Sequence, residues 1–556
     1  MKRRTFLILC MFMFLMTALW GCKDEKEPTQ NTAATSTPEA TQTPAGEQTP
    51  SPTEAPEKVE YNPKEDRLDK LTLSSDLDKY EYVPDADAGT YDVSYSQTVE
   101  AESGAQSGAA TVESSASGFG GTGYVFLRDA STNDGASVTV SVPADGFYRL
   151  TFRIATPMGE KANAILLDGV SIGEVSCPNN DTFADYPLDG IYITRGEHEL
   201  AVSAVWGWIF YDSVTVSGVE QPEAGEKELT TAVLVDPYAT LRTKMLYQFI
   251  CDIDGLYTLS GQYAQNATSS SEFSAIEETT GRTPAILGVD LIDYSPSRAS
   301  HSMPDNVVQR AINFYQKQGG IVTVSWHWNA PAQYIKSDAE WWEGFRTEAV
   351  DMDLTAIMNG DDPEGYEALM KDIDSIAFYL KQIAEEDVPI LWRPLHEASG
   401  GWFWWGNFGA ETYCKLWQAM YDRLVNYHGI HNLIWVWNGQ DAAWYPGDAY
   451  VDMIGEDIYP GNRVYSSQSI KYNEASAYTE KELPVVLSEN GCLPDPDLMI
   501  RDNARWTWFC VWSGEFVVDG AELSEVYNEA KMWDKVYNHS TVITLDELPD
   551  LTTYGQ

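Results

Sequence analysis

Pro389-Ile-Leu-Trp-Arg-Pro-Leu-His-Glu-Ala-Ser-Gly-Gly-Trp-Phe-Trp-Trp405 is an apolar run that stops abruptly in His396 and Glu397, then opens into two glycines and three tryptophans. The run is continuous, not alternating. That suits a strand covered on both faces, as in a parallel sheet. A carboxylic acid at the end of a buried strand, beside indole rings, has the makings of a sugar site. Carboxylates carry acid/base chemistry, and flat aromatic faces stack on pyranose rings.

Similar runs recur on both sides of this stretch. The strand candidates are 244–251, 284–294, 320–329, 389–397, 432–440, 452–459, 484–490 and 506–513. Helix-like segments lie between them, among them 304–318, 365–385, 410–427 and 467–481. Eight strand–helix units in the span 230–540 predict a (β/α)8 TIM barrel. An open doubly wound sheet is the alternative, but no Gly-rich phosphate fingerprint follows any strand.

In such a barrel the site is built at the C-terminal ends of the strands. The polar residues closing the runs are Asp290, Asp293, His327, Trp328, His396, Glu397, Asn438, Asp441, Asp457, Tyr459, Glu489 and Trp512. Glu397 closes the fourth run and Glu489 the seventh. Either alone reads as half of an ion pair at a strand end. Together they face each other across the barrel and flank one bond, the arrangement a glycosidase requires. Trp402, Trp404 and Trp405 cannot all point one way, so at least one packs beneath the loop. Trp435 and Trp437 read as core. Trp341-Trp342 is a candidate distal sugar platform. His428 and His431 read as surface or capping residues.

Trp392 to Trp405, Ser325-Trp-His-Trp328, Asp457-Ile-Tyr-Pro460 and Ser488-Glu-Asn-Gly491 together resemble glycoside hydrolase family 26 over about residues 244–515. The resemblance implies a (β/α)8 barrel, retaining chemistry and, for most members, endo-β-1,4-mannanase activity. By position it implies Glu397 as acid/base and Glu489 as nucleophile. His396 and Tyr459 would support the two carboxylates. Trp402 and Trp512 would contact sugar, and His327 would line the substrate site. No cofactor is expected for catalysis. Glu397 must stay protonated until it acts, and Trp402 is expected to help by desolvating it.

Residues 91–219 have a different character. Short alternating runs such as Ser137–Val142, Phe147–Ile154 and His198–Ser203 are separated by turn signals, including Asp168-Gly169 and Arg195-Gly196. They predict an all-β jelly-roll sandwich. Val99-Glu-Ala-Glu102, Gly118–Gly123, Asp145–Tyr148 and Trp208–Val216 resemble a carbohydrate-binding module of the family 6/35 type. That resemblance implies a structural Ca²⁺ held by Glu100, Glu102 and Asp212, residues that otherwise read as solvent-facing strand positions. Hard Ca²⁺ favours such oxygens. Trp206 and Trp208 either stack on a sugar or fill the core.

The chain has 556 residues and a net charge of −48, which excludes a nucleic-acid partner, since nothing offsets phosphate repulsion. Its 19 Trp and 31 Tyr exceed what core packing requires. Lys2-Arg3-Arg4 and the apolar stretch 5–19 form an export signal over 1–21. Leu19-Trp20-Gly21-Cys22 resembles a lipobox, which implies lipidation of Cys22 and a protein anchored at the bacterial cell surface; the alternatives are an ordinary cleaved signal and an uncleaved anchor. Residues 22–60, rich in Thr, Pro and Glu, form a disordered tether. Without Cys10 and Cys22, five cysteines remain, which is not a disulfide framework. Cys251 and Cys510 read as buried thiols in strands. A monomer is expected.

The functional expectation is a retaining endo-glycosidase acting on β-1,4-mannan. The alternatives are the same chemistry on xylan or mixed-linkage β-glucan, and a non-catalytic glycan-binding surface lipoprotein.

Overall fold

Alternation governs the N-terminal domain. In Gly135–Val142 and Gly146–Thr156 the side chains turn inward and outward by turns, as a half-buried strand requires. Inward Val138, Val140, Leu150, Phe152, Ile154, Val202 and Val214 fill the space between two antiparallel sheets. One sheet joins Thr111–Glu113, Tyr124–Leu127, Ile209–Gly218, Gly146–Thr156 and Asn180–Ile193, with Ser96–Glu100 also paired to Ile209–Gly218. The other joins Ala105–Ser107, Gly135–Val142, Gly196–Ala204, Lys161–Leu167 and Val170–Cys177.

This computed structural model describes residues 88–128, 133–205, 207–221, 232–264 and 270–555. The export signal, Cys22, the tether and Trp206 lie outside them.

The C-terminal domain is a closed parallel barrel. Its strands are β1 (Gly261–Tyr263), β2 (Ile286–Asp290), β3 (Ile321–Trp326), β4 (Ile390–Pro394), β5 (Leu433–Trp437), β6 (Met453–Ile458), β7 (Val485–Asn490) and β8 (Phe509–Val511). Strands β2 to β8 are buried throughout, which is why their sequences are continuous apolar runs.

The expected first strand, 244–251, is a helix. Leu241–Ile253 forms α1, capped by the Thr240 side chain, which accepts from the Thr243 amide. Met245, Leu246, Phe249 and Ile250 join one apolar cluster with Ile286, Ile321, Ile434 and Met453, residues at the starts of barrel strands. A helix buried on nearly every side loses its amphipathic signature and reads like a buried strand. The true β1 is three residues long and contains Gln262, so it has no such signal. Cys251 is therefore a helical thiol, while Cys510 lies in β8; both are buried.

The outer helices include α2 (Pro363–Glu385), α3 (Ala410–Tyr421) and α4 (Ser469–Ser476). Of these, α4 packs on β6 and β7 and also on the sandwich strands Val170–Cys177 and Asn180–Ile193. Ile470 of α4 is buried within the sandwich core. Two glycines make room for the helix. A Cβ at Gly173 would stand 2.8 Å from Ile470, and one at Gly190 would stand 2.7 Å from the Asn473 amide. Ser466 donates to the Ser171 carbonyl at 2.7 Å, and Asn473 to the Asp189 carbonyl at 3.2 Å.

Candidate active site

Beyond β4 the chain leaves extended geometry at once. Leu395 and Glu397 both adopt left-handed backbone angles, with φ of 49° and 53°. Each such non-glycine residue costs on the order of 1–2 kcal/mol. The conformation at Glu397 is held by Asn438, just past β5. The Glu397 amide donates to the Asn438 carbonyl at 2.7 Å and to its side-chain oxygen at 3.0 Å. These bonds turn the Glu397 side chain into the barrel mouth.

There it meets Asp457 and Glu489. One carboxylate oxygen from each of the three residues lies within 4.8 Å of the other two. Arg393, fully buried inside β4, makes ion pairs with both Asp457 and Glu489. Its Nε also donates to the Tyr263 hydroxyl at 3.3 Å. Asp457 further accepts from Asn438 at 3.0 Å and from the Ser488 hydroxyl at 2.8 Å. The Tyr459 hydroxyl donates to the second oxygen of Glu489.

The two glutamates differ in their partners. Burial, then the charges of Asp457 and Glu489, push the Glu397 carboxyl well above the usual range. Its one close donor, the Trp402 indole at 2.7 Å, opposes that rise. Burial and the Asp457 charge also raise Glu489, to about 7, but Arg393, the Tyr459 hydroxyl and His327 pull it down. Donors that favour the charged form are thus concentrated on Glu489, so of the two glutamates Glu397 holds its proton the more strongly, with Asp457 as its hydrogen-bonded neighbour. The Trp402 N–H therefore opposes the rise that its ring was expected to favour by desolvation. It stabilises the ionised acid, and the rise comes from burial and two neighbouring carboxylates.

The histidines form a chain. His327 Nδ1 bonds Asp290, whose other oxygen accepts the His327 amide at 3.1 Å. Burial alone would raise Asp290, but His327 holds it below the usual carboxylate range. His327 Nε2 lies 3.1 Å from His396 Nε2, so the two share one proton. Burial, Arg393 and His327 keep His396 neutral, well below its ordinary value. Trp512 is buried against Tyr263, with ring centroids 4.8 Å apart, and edge-on to His327 at 5.9 Å.

Of the three tryptophans after β4, only Trp402 is exposed. Trp404 and Trp405 are buried, and their indoles donate to the carbonyls of Trp328 at 2.7 Å and His396 at 2.8 Å. Trp435 and Trp437 are core residues. Trp341 stands in the loop after β3, stacked on His301 at 4.6 Å. Asp441 caps a short turn through the Ala443 amide, and Asp293 pairs with Arg298. His428 pairs with Asp374 and His431 with Asp236. Sequence reasoning passed over Arg393 and left Asp457 and Asn438 without roles. The available signal was an arginine inside an otherwise apolar strand, which is tolerated only when paired.

In the sandwich, Glu100, Glu102 and Asp212 converge beneath the Gly120–Thr122 turn. Asp212 accepts from the Gly120 amide at 2.9 Å, and Glu102 from the Thr122 amide at 2.7 Å. One buried oxygen each of Glu100 and Glu102 has no hydrogen-bond partner. Burial, with the neighbouring carboxylates next, raises Glu100. The orphaned oxygens are of the kind that a hard dication takes, but among the described residues these three carboxylates do not bring ligand atoms within 4.8 Å of one another, and Arg153 already stands 3.3 Å from Asp212.

Comparisons with known proteins agree in both domains. The model for glycosyl hydrolase family 26 matches residues 235–547, and that for carbohydrate binding module family 35 matches residues 97–219. A mannan endo-1,4-beta-mannosidase of Thermothelomyces thermophilus is 39% identical over 454 residues, covering 81% of this chain and 90% of that protein. Mannan endo-1,4-beta-mannosidase B of Piromyces sp is 35% identical, covering 81% and 77%. The crystal structure of a Podospora anserina β-(1,4)-mannanase, with the same two kinds of domain, is 34% identical with a TM-score of 0.55, covering 83% of this chain and 99% of that one.

Proposed function

The chain belongs to glycosyl hydrolase family 26, and from the geometry of its site we infer that Glu397 is the proton donor and Glu489 the nucleophile. The reaction is hydrolysis of internal β-1,4-mannosidic bonds of mannan-type polysaccharides, with retention.

A Glu489 oxygen attacks the anomeric carbon while the glycosidic C–O bond breaks. The proton of Glu397 passes to the departing sugar oxygen, leaving a glycosyl ester on Glu489. Water then attacks that carbon, gives its proton to Glu397, and releases Glu489 as carboxylate. The electrostatics cycle with the chemistry. Free Glu489 carries one of the charges that keep Glu397 protonated; once it is esterified, Glu397 becomes more acidic and is suited to serve as base. Arg393 and Tyr459 orient Glu489 and favour its charged form against burial. His327, neutral His396, exposed Trp402 and Trp512 are the substrate-side groups.

The observation that carries this reading is the separation of the pair. One oxygen of each glutamate lies within 4.8 Å of the other, on the side of a retaining pair at roughly 5–5.5 Å and short of an inverting pair at roughly 6.5–9.5 Å. The test is reducing-end release from mannan, xylan and mixed-linkage β-glucan by wild type and Glu489→Ala. Wild type should act on mannan, and Glu489→Ala should lose turnover while still binding the polysaccharide. An active Glu489→Ala enzyme overturns the assignment.

The sandwich would hold glycan near the barrel. Exposed Trp208, at φ 60° and edge-on to Phe126, is the candidate platform there. A Ca²⁺ on Glu100, Glu102 and Asp212 would serve structure and take no part in turnover. Trp341 is a candidate distal platform beside the cleft. Lipidation at Cys22, an export signal before it and a cell-surface monomer are proposed from the sequence alone. Labelled lipid on the wild type, absent from Cys22→Ala, would support the anchor.

A further inference from the structure

Trp402 reaches Glu397 by folding its ring back over its own loop. The benzo edge of the indole lies where a side chain at position 400 would begin. An ideal Cβ on Gly400 would stand 2.0, 2.1 and 2.3 Å from Cη2, Cζ3 and Cζ2 of Trp402. Such contacts are impossible, so any larger residue must drive the ring away. The neighbouring loop anchors the backbone under this ring. Thr347 donates its hydroxyl to the Gly401 carbonyl at 2.6 Å and its amide to the Trp402 carbonyl at 2.9 Å. The Trp404 amide continues the pairing to the Phe345 carbonyl at 3.2 Å. Trp402 is 47% exposed, so no surrounding core would hold it in place if these two supports failed.

We propose that Gly400 and Thr347 are positioning residues for the proton donor: the bare α-carbon at 400 and the Thr347 clamp keep the Trp402 N–H within bonding reach of Glu397. The proposal rests on the assignment of Glu397 as proton donor. Its consequence has a definite sign. An N–H donor favours the charged carboxylate, so losing it makes Glu397 hold its proton to higher pH. The other charged or titratable groups facing Glu397 are Asp457 on β6, Glu489 on β7, Arg393 on β4 and Tyr459 beyond β6, and substitutions at 347, 400 and 402 leave them in place.

The experiment measures kcat/KM against pH on a manno-oligosaccharide for wild type, Gly400→Ala, Trp402→Phe, Thr347→Val and the Gly400→Ala/Trp402→Phe double variant. It is repeated on an aryl β-mannobioside whose dinitrophenolate leaves without protonation. The high-pH limb should move up by roughly one unit in Gly400→Ala and in Trp402→Phe, the scale of one charge-assisted hydrogen bond. Thr347→Val should move it in the same direction by less. The double variant should move no further than either single one, because both remove the same bond. Losses should be larger on the oligosaccharide than on the aryl substrate. A limb that stays in place in Gly400→Ala, or shifts that add in the double variant, overturns the proposal. Glu397→Ala is the control for its premise: the oligosaccharide rate should collapse and the aryl rate largely persist. If both rates survive, the proton-donor assignment falls, and the proposal with it.

Discussion

Replacing Arg393 with Met tests the electrostatic design of the site most directly. Arg393 has no exposure and holds two carboxylates, Asp457 and Glu489. Methionine keeps the apolar stem and removes the charge. Breaking one side of a buried ion pair costs about 3–5 kcal/mol, because the remaining charge is left uncompensated. In a domain of this size that corresponds to a fall in melting temperature of roughly 6–10 °C. The loss should depend on pH. Arg393 is among the groups that hold Asp457 and Glu489 down against burial, so without it both carboxyls rise further. An acid whose folded pKa exceeds its unfolded value binds more protons when folded, so stability falls as pH rises between the two values. The variant should therefore lose most stability at pH 8 and much less at pH 5. Its low-pH limb of kcat/KM, which requires ionised Glu489, should also move upward. Thermal unfolding at the two pH values and a pH–rate profile would show this. Equal destabilisation at pH 5 and pH 8 would mean that Arg393 acts through packing, and would refute the reasoning.

Tyr459→Phe removes the hydroxyl from Glu489, and kcat should fall by about 10- to 150-fold, the equivalent of 1.5–3 kcal/mol for a hydrogen bond to a charged group; steady-state kinetics would check it. If Ca²⁺ binds the sandwich, adding it at about 100 times its dissociation constant should stabilise that domain by about 2.7 kcal/mol, and Glu102→Gln should abolish the effect in calorimetry with Ca²⁺ or chelator. Ile470→Ala should cost about 2–5 kcal/mol, seen as a lower unfolding midpoint, although the residue is remote from the carboxylates.

The barrel was legible because seven strands are buried on both faces and so read as apolar runs. The eighth was not. α1 imitates a strand because its stretch 245–253 is buried throughout, and Gly261–Tyr263 is too short to announce itself. Glu397 and Glu489 were legible as the acids that end two such runs. What the sequence withholds is direction. Glu397 is left-handed where its amide is held by Asn438, just past the next strand. Trp402 looks like a hydrophobic wall until its ring is seen folded over Gly400 with the N–H turned to the acid. Arg393 was hidden among apolar neighbours, and its two partners lie 64 and 96 residues further along the chain.

The seat of α4 between the two domains bears on how such a protein could be taken apart or rebuilt. One flank of this helix supports β6 and β7, the strands that end in Asp457 and Glu489, while Ile470 on the other belongs to the core of the sandwich. The sandwich is therefore seated on the barrel through shared core packing. An isolated barrel would present Ile470 as a greasy scar, and a substitute module would need small residues where Gly173 and Gly190 now stand.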